Sequence, residues 1–326
     1  MKNKIFALTK LAITTLLFVY IFRKIDFHQF GATLRNARMD ILVIGFLVLW
    51  IGHYLCIYRW RMLMRPLMPV LSMGQLIGIY CIGLFFNLTL PSVVGGDVVK
   101  MYYAGKPSKA YAQSFAATFL DRDAGMLAMM IIACAAIVFY PVVVPGIPVS
   151  LIVWSAFFLF VVVNIGIFSP YFHRVLTGLL RRLHLSKIAM KVDTISTAFQ
   201  VMGKHKVVLV VSLLISFLNQ LLVIAVTWIM ALGLRLRVPF SYFLIFVPVI
   251  TLISMIPISL NGMGLREYAF VSLFGAVGVL SASSLAMGIL SSVVLVLSSF
   301  PGGIVYIFFR NRTDMQQLAA FETEFS

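Results

Sequence analysis

The 326-residue chain is 62% hydrophobic and 11% charged, with a mean hydropathy of +1.04. Globular domains are about 45–50% apolar and about 25% charged, so this composition excludes an ordinary soluble domain and indicates an integral membrane protein. The formal net charge is +16. The cations lie in loops between apolar runs, so membrane topology explains the charge better than nucleic-acid binding. An added attraction to anionic lipid headgroups stays open as an alternative.

Apolar runs that are long enough for helical spans or re-entrant segments follow one another along the chain. They cover residues 5–22, 40–58, 71–90, 124–145, 148–169, 207–232, 240–260 and 283–309, with a shorter run at 268–280. None shows the alternation of a barrel strand. The sequence therefore predicts an all-α, polytopic membrane helical bundle of about eight hydrophobic segments. We expect one transmembrane domain over residues 1–312 and a disordered cytoplasmic tail over 313–326.

Basic residues predict which loops face the cytoplasm. They cluster at Lys2, Lys4 and Lys10, at Arg59, Arg61 and Arg65, in the loop 170–206, and at Arg310 and Arg312. These clusters share one side only if the run 71–90 turns back near Gly95 and Gly96. A second hairpin that opens to the opposite face would then make an inverted repeat, as in alternating-access transporters. In this topology Arg23, Lys24, Arg35 and Arg38 face outward.

The loop 170–206 has an amphipathic pattern, with apolar residues along one helical face and basic residues opposite. The pattern is typical of an interfacial helix on the inner leaflet, and equally of a solvated loop with ordinary positive-inside charge. The same loop is a candidate docking surface for a cytoplasmic partner.

Two segments break apolar runs in corresponding ways. The first reads Asn87-Leu-Thr-Leu-Pro-Ser-Val-Val-Gly-Gly-Asp-Val-Val-Lys100, and the second reads Pro257-Ile-Ser-Leu-Asn-Gly-Met-Gly-Leu-Arg-Glu267. In both, a glycine lies five residues after the proline and a cation lies nine residues after it. Broken apolar segments in two halves of a chain point to a transporter's binding site.

The breaks suit an anion. Proline removes a backbone donor and glycine permits a tight turn, so amide groups become free at membrane depth. A helix that starts after each break points its positive end at that place. The candidate substrate-binding residues are Asn87, Gly95, Gly96, Asp97, Lys100, Gly262, Gly264, Arg266 and Glu267. The expected ligand is the phosphate of an anionic membrane lipid. The alternative is that each break only kinks a helix and the charges pair with one another.

Asp121, Arg122 and Asp123 add further charges beside an apolar run, where ionisable groups are costly and usually functional. We expect Arg122 to pair with its neighbouring aspartates. The sequence contains no metal-ligand spacing, phosphate loop or nucleophile motif, so no catalytic residue, metal or cofactor is predicted. The alternative function is a membrane-embedded lipid transferase that uses Asp121 or Asp123, or an accessory subunit of a lipid or cell-envelope enzyme.

Three motifs, taken in their order along the chain, resemble the flippase-like transmembrane region of lysylphosphatidylglycerol synthases. They are Asn87-Leu-Thr-Leu-Pro with Gly95-Gly96-Asp97 and Lys100, then Asp121-Arg122, then Pro257 to Glu267. The resemblance covers nearly the whole chain, and Asp121 replaces the glutamate that family members usually carry. It implies a flippase-like, multi-pass protein of a bacterial or archaeal inner membrane that moves an anionic phospholipid or lipid-linked phosphate between leaflets. Among partners, a second copy of the chain in a homo-oligomer stays open. The soluble aminoacyl-transferring domain of the full-length synthases has no counterpart here, so lysyl transfer is not expected.

Overall fold

The computed structural model describes residues 14–21, 23, 26–89, 94–140, 148–182 and 186–309. Within these ranges the protein is helical and contains no strand, which confirms the predicted all-α bundle. Five of the helices are long and apolar enough to cross a membrane, and two shorter apolar helices accompany them. Pro91, residues 141–147 and the predicted tail 313–326 lie outside the described residues.

Residues 14–21 are helical, and twelve further helices follow in the described part of the chain. In chain order they are α1 (Phe27–Arg35), α2 (Met39–Met64), α3 (Met73–Thr89), α4 (Gly95–Gly105), α5 (Tyr111–Phe139), α6 (Val149–Phe168), α7 (Pro170–Arg182), α8 (Ser186–Lys204), α9 (Lys206–Gly233), α10 (Phe240–Ser254), α11 (Leu265–Ala276) and α12 (Ser281–Phe309). A single 3-10 turn, Leu260–Gly262, lies between α10 and α11.

Two predicted boundaries are wrong, and both errors hide charged residues inside helices. α2 continues to Met64, so Arg59 is a buried residue of this helix and not part of a basic loop. α5 begins at Tyr111, so Asp121 and Arg122 lie in mid-helix and do not open a span. The physical reason is that buried ion pairs let the helices continue through positions that hydropathy alone assigns to their ends.

The chain contains a repeat of four helices. α2, α3, α4 and α5 have 26, 17, 11 and 29 residues, and α9, α10, α11 and α12 have 28, 15, 12 and 29. The first two helices begin at 39 and 73 and their counterparts at 206 and 240, a shift of 167 residues. The last two begin at 95 and 111 and their counterparts at 265 and 281, a shift of 170.

The two halves are inverted relative to each other. α2 packs against α9, its counterpart in the other half. Along the pair, Gly45 lies beside Ile229, Gly52 beside Asn219, and Arg59 is hydrogen-bonded to Ser216. Residue numbers rise along α2 as they fall along α9, so the two helices are antiparallel. Two further contacts cross between the halves in a matching way, because α3 packs against α12 and its counterpart α10 packs against α5. The packing therefore has the inverted-repeat arrangement that the sequence predicts.

Each half contains a hairpin of short helices. α3 and α4 run antiparallel, since Gly96 contacts Asn87 and Lys100 contacts Gly83 and Tyr80. α10 and α11 are also antiparallel, since Phe274 near the end of α11 contacts Phe243 and Phe246 in the first half of α10, with tilted and edge-on rings. The first hairpin opens at the face where α2 ends, and the second opens at the face where α2 begins. Lys106 and Lys109, after α4, therefore share a face with Arg65, as the charge pattern requires.

The predicted amphipathic loop forms the helical pair α7 and α8, joined by an ion pair of 2.8 Å between Arg181 and Asp193. α7 has three stripes. One packs on the protein, and a second, with Arg174 and Arg181, is basic. The third exposes Tyr171, Phe172, Val175 and Leu179. Exposed apolar and basic stripes on one helix favour the interfacial-helix interpretation.

Candidate functional site

A charged cavity of about 270 Å³ lies between the α3–α4 hairpin, α2, α5, α9 and the end of α10. Its charged lining residues are Arg59, Lys100 and Arg122, with the carboxylates of Asp97 and Asp121. Three cations against two carboxylates give the described lining an excess of positive charge. The cavity also contains Asn87, which was predicted from the sequence, and the side chains of Asn219 and Gln220.

Asp97 joins two of the cations. Its carboxylate accepts from the Lys100 ammonium at 2.7 Å and also forms an ion pair with Arg122. Lys100 lies over the rings of Trp60 and Tyr80, with its Nζ atom 5.4 and 5.2 Å from their centroids. Lys100 is held in place by this carboxylate and these two rings, while still lining the cavity.

Asp121 belongs to a second buried ion pair. Arg59 Nε donates to its carboxylate at 2.7 Å, and Arg59 Nη1 donates to the Ser216 hydroxyl at 2.6 Å. The expectation that Arg122 pairs with its neighbouring aspartates is therefore wrong. Successive residues point to different sides of a helix, so Arg122 reaches Asp97 on α4 and Asp121 reaches Arg59 on α2.

The glycines of the first break have a packing role. A Cβ atom on Gly96 would lie 2.0 Å from the Gly83 carbonyl oxygen, so glycine allows α3 and α4 to approach closely. The Gly96 amide donates to Asn87 Oδ1 at 2.9 Å. Gly95 and Gly96 are buried in the first turn of α4 but do not line the charged cavity.

The second break is organised around Glu267, which is only 1% exposed. Its carboxylate accepts from the Gly264 amide at 2.6 Å and from the Ser292 hydroxyl at 2.5 Å. Gly262 and Gly264 have φ angles of +74° and +81°, a backbone region that favours glycine. Arg266 contacts the same Ser292 hydroxyl at 3.2 Å, and no ion pair of Arg266 occurs among the described residues.

Arg266 lines a second cavity, of about 240 Å³, between α2, α9, α10, α11 and α12. This apolar cavity corresponds to the charged one through the repeat. Eight lining residues of the charged cavity have a counterpart that lines the apolar cavity. With the residue of the charged cavity given first, the pairs are Cys56 and Val223, Arg59 and Val226, Tyr80 and Val247, Gly83 and Ile250, Leu84 and Thr251, Lys100 and Phe270, Asp121 and Ser291, and Gly125 and Leu295. Among its described lining residues Arg266 is the one charged side chain.

The correspondence corrects the spacing argument from the sequence. Counting from the prolines pairs Lys100 with Arg266, but in the structure Lys100 corresponds to Phe270. The predicted site residues thus separate into two groups. Asn87, Asp97, Lys100, Asp121 and Arg122 line the charged cavity, whereas Arg266 lines the apolar cavity. Glu267 supports Arg266 through Ser292.

The two cavities meet at Thr251 of α10, which lines both. On α2, Cys56 and Arg59 face the charged cavity and Leu49 faces the apolar one. At a rise of about 1.5 Å per residue, the cavities are about 10–15 Å apart along this helix. They therefore lie at different depths of the bundle.

Asp123 is separate from both cavities. It lies on another side of α5, at a third cavity lined by residues of α2, α5, α6 and α9. Arg59 was missed as a site residue because it adjoins other cations in the sequence. The sequence Tyr58-Arg59-Trp60 places this arginine between two aromatic residues, and that pattern could have indicated that it is buried.

A family model described as the lysylphosphatidylglycerol synthase TM region matches residues 7–302 of this chain. Comparison with curated proteins gave no match. Comparison with solved structures gave no match either.

Proposed function

Because the chain belongs to the lysylphosphatidylglycerol synthase transmembrane-region family, we propose that it is a flippase-like lipid translocase of the cell membrane. Its substrate would be an anionic phospholipid or a lipid-linked phosphate, carried between the two leaflets. The observation that carries this proposal is the pair of corresponding cavities at different depths, each with an excess of cationic side chains.

The charges favour an anionic headgroup. In the charged cavity the positive excess has no carboxylate to balance it among the described lining residues. In the apolar cavity the Arg266 guanidinium has five N–H donors, and its one described hydrogen bond goes to Ser292. Arginine and lysine bind phosphate strongly where water is scarce. The amides of Gly96 and Gly264 already have side-chain acceptors, so the proposed phosphate site consists of side-chain cations.

The inverted repeat supports movement between leaflets. The two hairpins open at opposite faces, and their cavities meet at Thr251. A headgroup that leaves Lys100 and Arg122 could pass Thr251 and reach Arg266 without entering the lipid tails. Rocking of one half against the other would expose each cavity in turn, as in other inverted-repeat transporters.

The transferase alternative has less support. The Asp121 carboxylate is already engaged in a buried ion pair with Arg59. Asp123 lies at a cavity whose described lining has no second ionisable side chain to assist it. The accessory-subunit alternative, with a partner at the α7–α8 pair, stays a prediction.

The test is leaflet exchange of fluorescent phosphatidylglycerol in proteoliposomes that hold the purified protein. We expect exchange above that of empty vesicles, and its loss in the variant Lys100→Gln/Arg266→Gln. The control is Arg237→Gln, which removes an exposed cation between α9 and α10. Glutamine keeps part of the Lys100 stem that contacts Gly83, so the packing of α3 on α4 is preserved.

Two results would contradict the proposal in different ways. Exchange that survives the double substitution would keep the activity and reject the cationic site. No exchange of phosphatidylglycerol or of other anionic lipids, with or without an imposed ion gradient, would reject the translocase and favour the accessory role.

A further inference from the structure

The third cavity, of about 460 Å³, lies between α5, α6 and α9, with Leu63 of α2 at its wall. Its walls are mainly apolar and include Leu127, Phe160 and Leu213. Residues 120, 123, 124 and 127 of α5 face it, whereas residues 121, 122, 125 and 126 face the charged cavity. The two cavities are therefore on different sides of α5, and the third one plays no part in the proposed lipid path.

Three polar side chains line this cavity: Asp123, Asn164 and Ser212. Asn164 donates one amide hydrogen to the Phe160 carbonyl at 3.0 Å. This bond uses the amide nitrogen of Asn164, so its amide oxygen is left as an acceptor. Ser212 is 1% exposed, and its hydroxyl has no hydrogen-bond partner among the described residues.

Asp123 differs from the other two aspartates of this region in having no cation. Asp97 and Asp121 each form an ion pair, but no described ion pair includes Asp123. It is the thirteenth residue of the 29-residue α5, which places it near the middle of a membrane-spanning helix. An ionisable group at that depth is costly and usually has a partner or a ligand.

We propose that this cavity binds an amphiphile with one ammonium group and an apolar chain. The Asp123 carboxylate, the Asn164 amide oxygen and the Ser212 hydroxyl oxygen are acceptors, and an ammonium group has three N–H donors to match them. The chain would lie against Leu127, Phe160 and Leu213. The described lining contains no cation for a phosphate, so the ligand class differs from that of the proposed translocation path.

The test compares dodecylamine with dodecanol, which has the same chain and no charge, on the protein in zwitterionic nanodiscs. Binding is measured from the ligand-dependent rise in the unfolding temperature. We expect dodecylamine to bind more tightly than dodecanol. Asp123→Asn should weaken dodecylamine binding about tenfold or more, because a hydrogen bond to a charged group contributes about 1.5–3 kcal/mol.

Asp40→Asn is the matched control, because Asp40 is an exposed aspartate at the start of α2 that pairs with Arg38. It should leave dodecylamine binding unchanged. Ser212→Ala is a second variant in case Asp123→Asn does not fold, and it should weaken binding about two- to tenfold. Equal binding of the amine and the alcohol would overturn the proposal, and so would unchanged amine binding in both cavity variants.

Discussion

Asp97 and Glu267 make corresponding contacts in the two halves of the chain. Each is the third residue of its short helix, and each contacts the twelfth residue of the long helix that follows. Asp97 pairs with Arg122, whereas Glu267 accepts a hydrogen bond from Ser292. The repeat thus keeps the position of the carboxylate and changes its partner. This change makes the first cavity highly charged and leaves Arg266 as the one charged side chain among the described lining residues of the second.

Replacing Arg122 by the residue found at the corresponding position in the other half tests the role of this charge. Arg122→Ser should fold, because Asp97 keeps Lys100 at 2.7 Å. It should slow the leaflet exchange of phosphatidylglycerol about tenfold, because it removes the positive excess of the cavity. A tenfold slowing corresponds to a barrier higher by about 1.4 kcal/mol. Arg237→Ser is the control. Exchange at the wild-type rate in Arg122→Ser would show that the excess charge is not needed.

Removing one partner of the buried pair of Arg59 and Asp121 should destabilise the protein more than removing both. Asp121→Leu leaves the Arg59 guanidinium buried without its carboxylate, and we expect a loss of about 3–5 kcal/mol. The double variant Arg59→Leu/Asp121→Leu should recover most of this loss, because it removes both charges. Thermal unfolding of the detergent-solubilised protein measures the difference. A double variant no more stable than Asp121→Leu would argue against this account.

The close approach of α3 and α4 predicts that alanine in place of Gly96 destabilises the protein, whereas alanine in place of Gly275 does not. Gly96→Ala would place a Cβ atom 2.0 Å from the Gly83 carbonyl oxygen, so the helices must separate. We expect destabilisation of about 1–3 kcal/mol, together with slower lipid exchange because Lys100 moves with α4. Gly275→Ala on α11 is the control, since no atom lies within 4 Å of its Cβ position. It should be neutral or stabilise by about 0.5–1 kcal/mol. Equal unfolding temperatures for the two variants would contradict the packing argument.

Local features of the fold could be predicted from the sequence. Hydropathy identified the bundle, and proline and glycine marked both hairpins. The pair of Asp97 and Lys100 follows from their spacing of three residues on one helix. The positive-inside pattern required the first hairpin to turn back, and the structure confirms this.

Contacts between distant segments could not be predicted in the same way. Arg59 and Asp121 are 62 residues apart, and Asp97 and Arg122 are 25 apart. Their pairing depends on how α2, α4 and α5 pack, which no local pattern specifies. The correspondence of the halves was also misjudged, because ten residues separate α10 from α11 whereas five separate α3 from α4. Counting from the proline therefore gives the wrong register on the short helices.

Thr251 should control passage between the two cavities. Because this residue lines both, Thr251→Phe would fill the junction and leave Lys100, Arg122 and Arg266 unchanged. We expect a fall of about tenfold or more in leaflet exchange, equivalent to about 1.4 kcal/mol or more in the barrier. Thr227→Phe is the matched control, since Thr227 lines the apolar cavity alone and its substitution should slow exchange less. Unfolding temperatures of both variants would show whether they fold equally well. Equal inhibition by the two would mean that filling the apolar cavity, and not closing the junction, blocks the lipid.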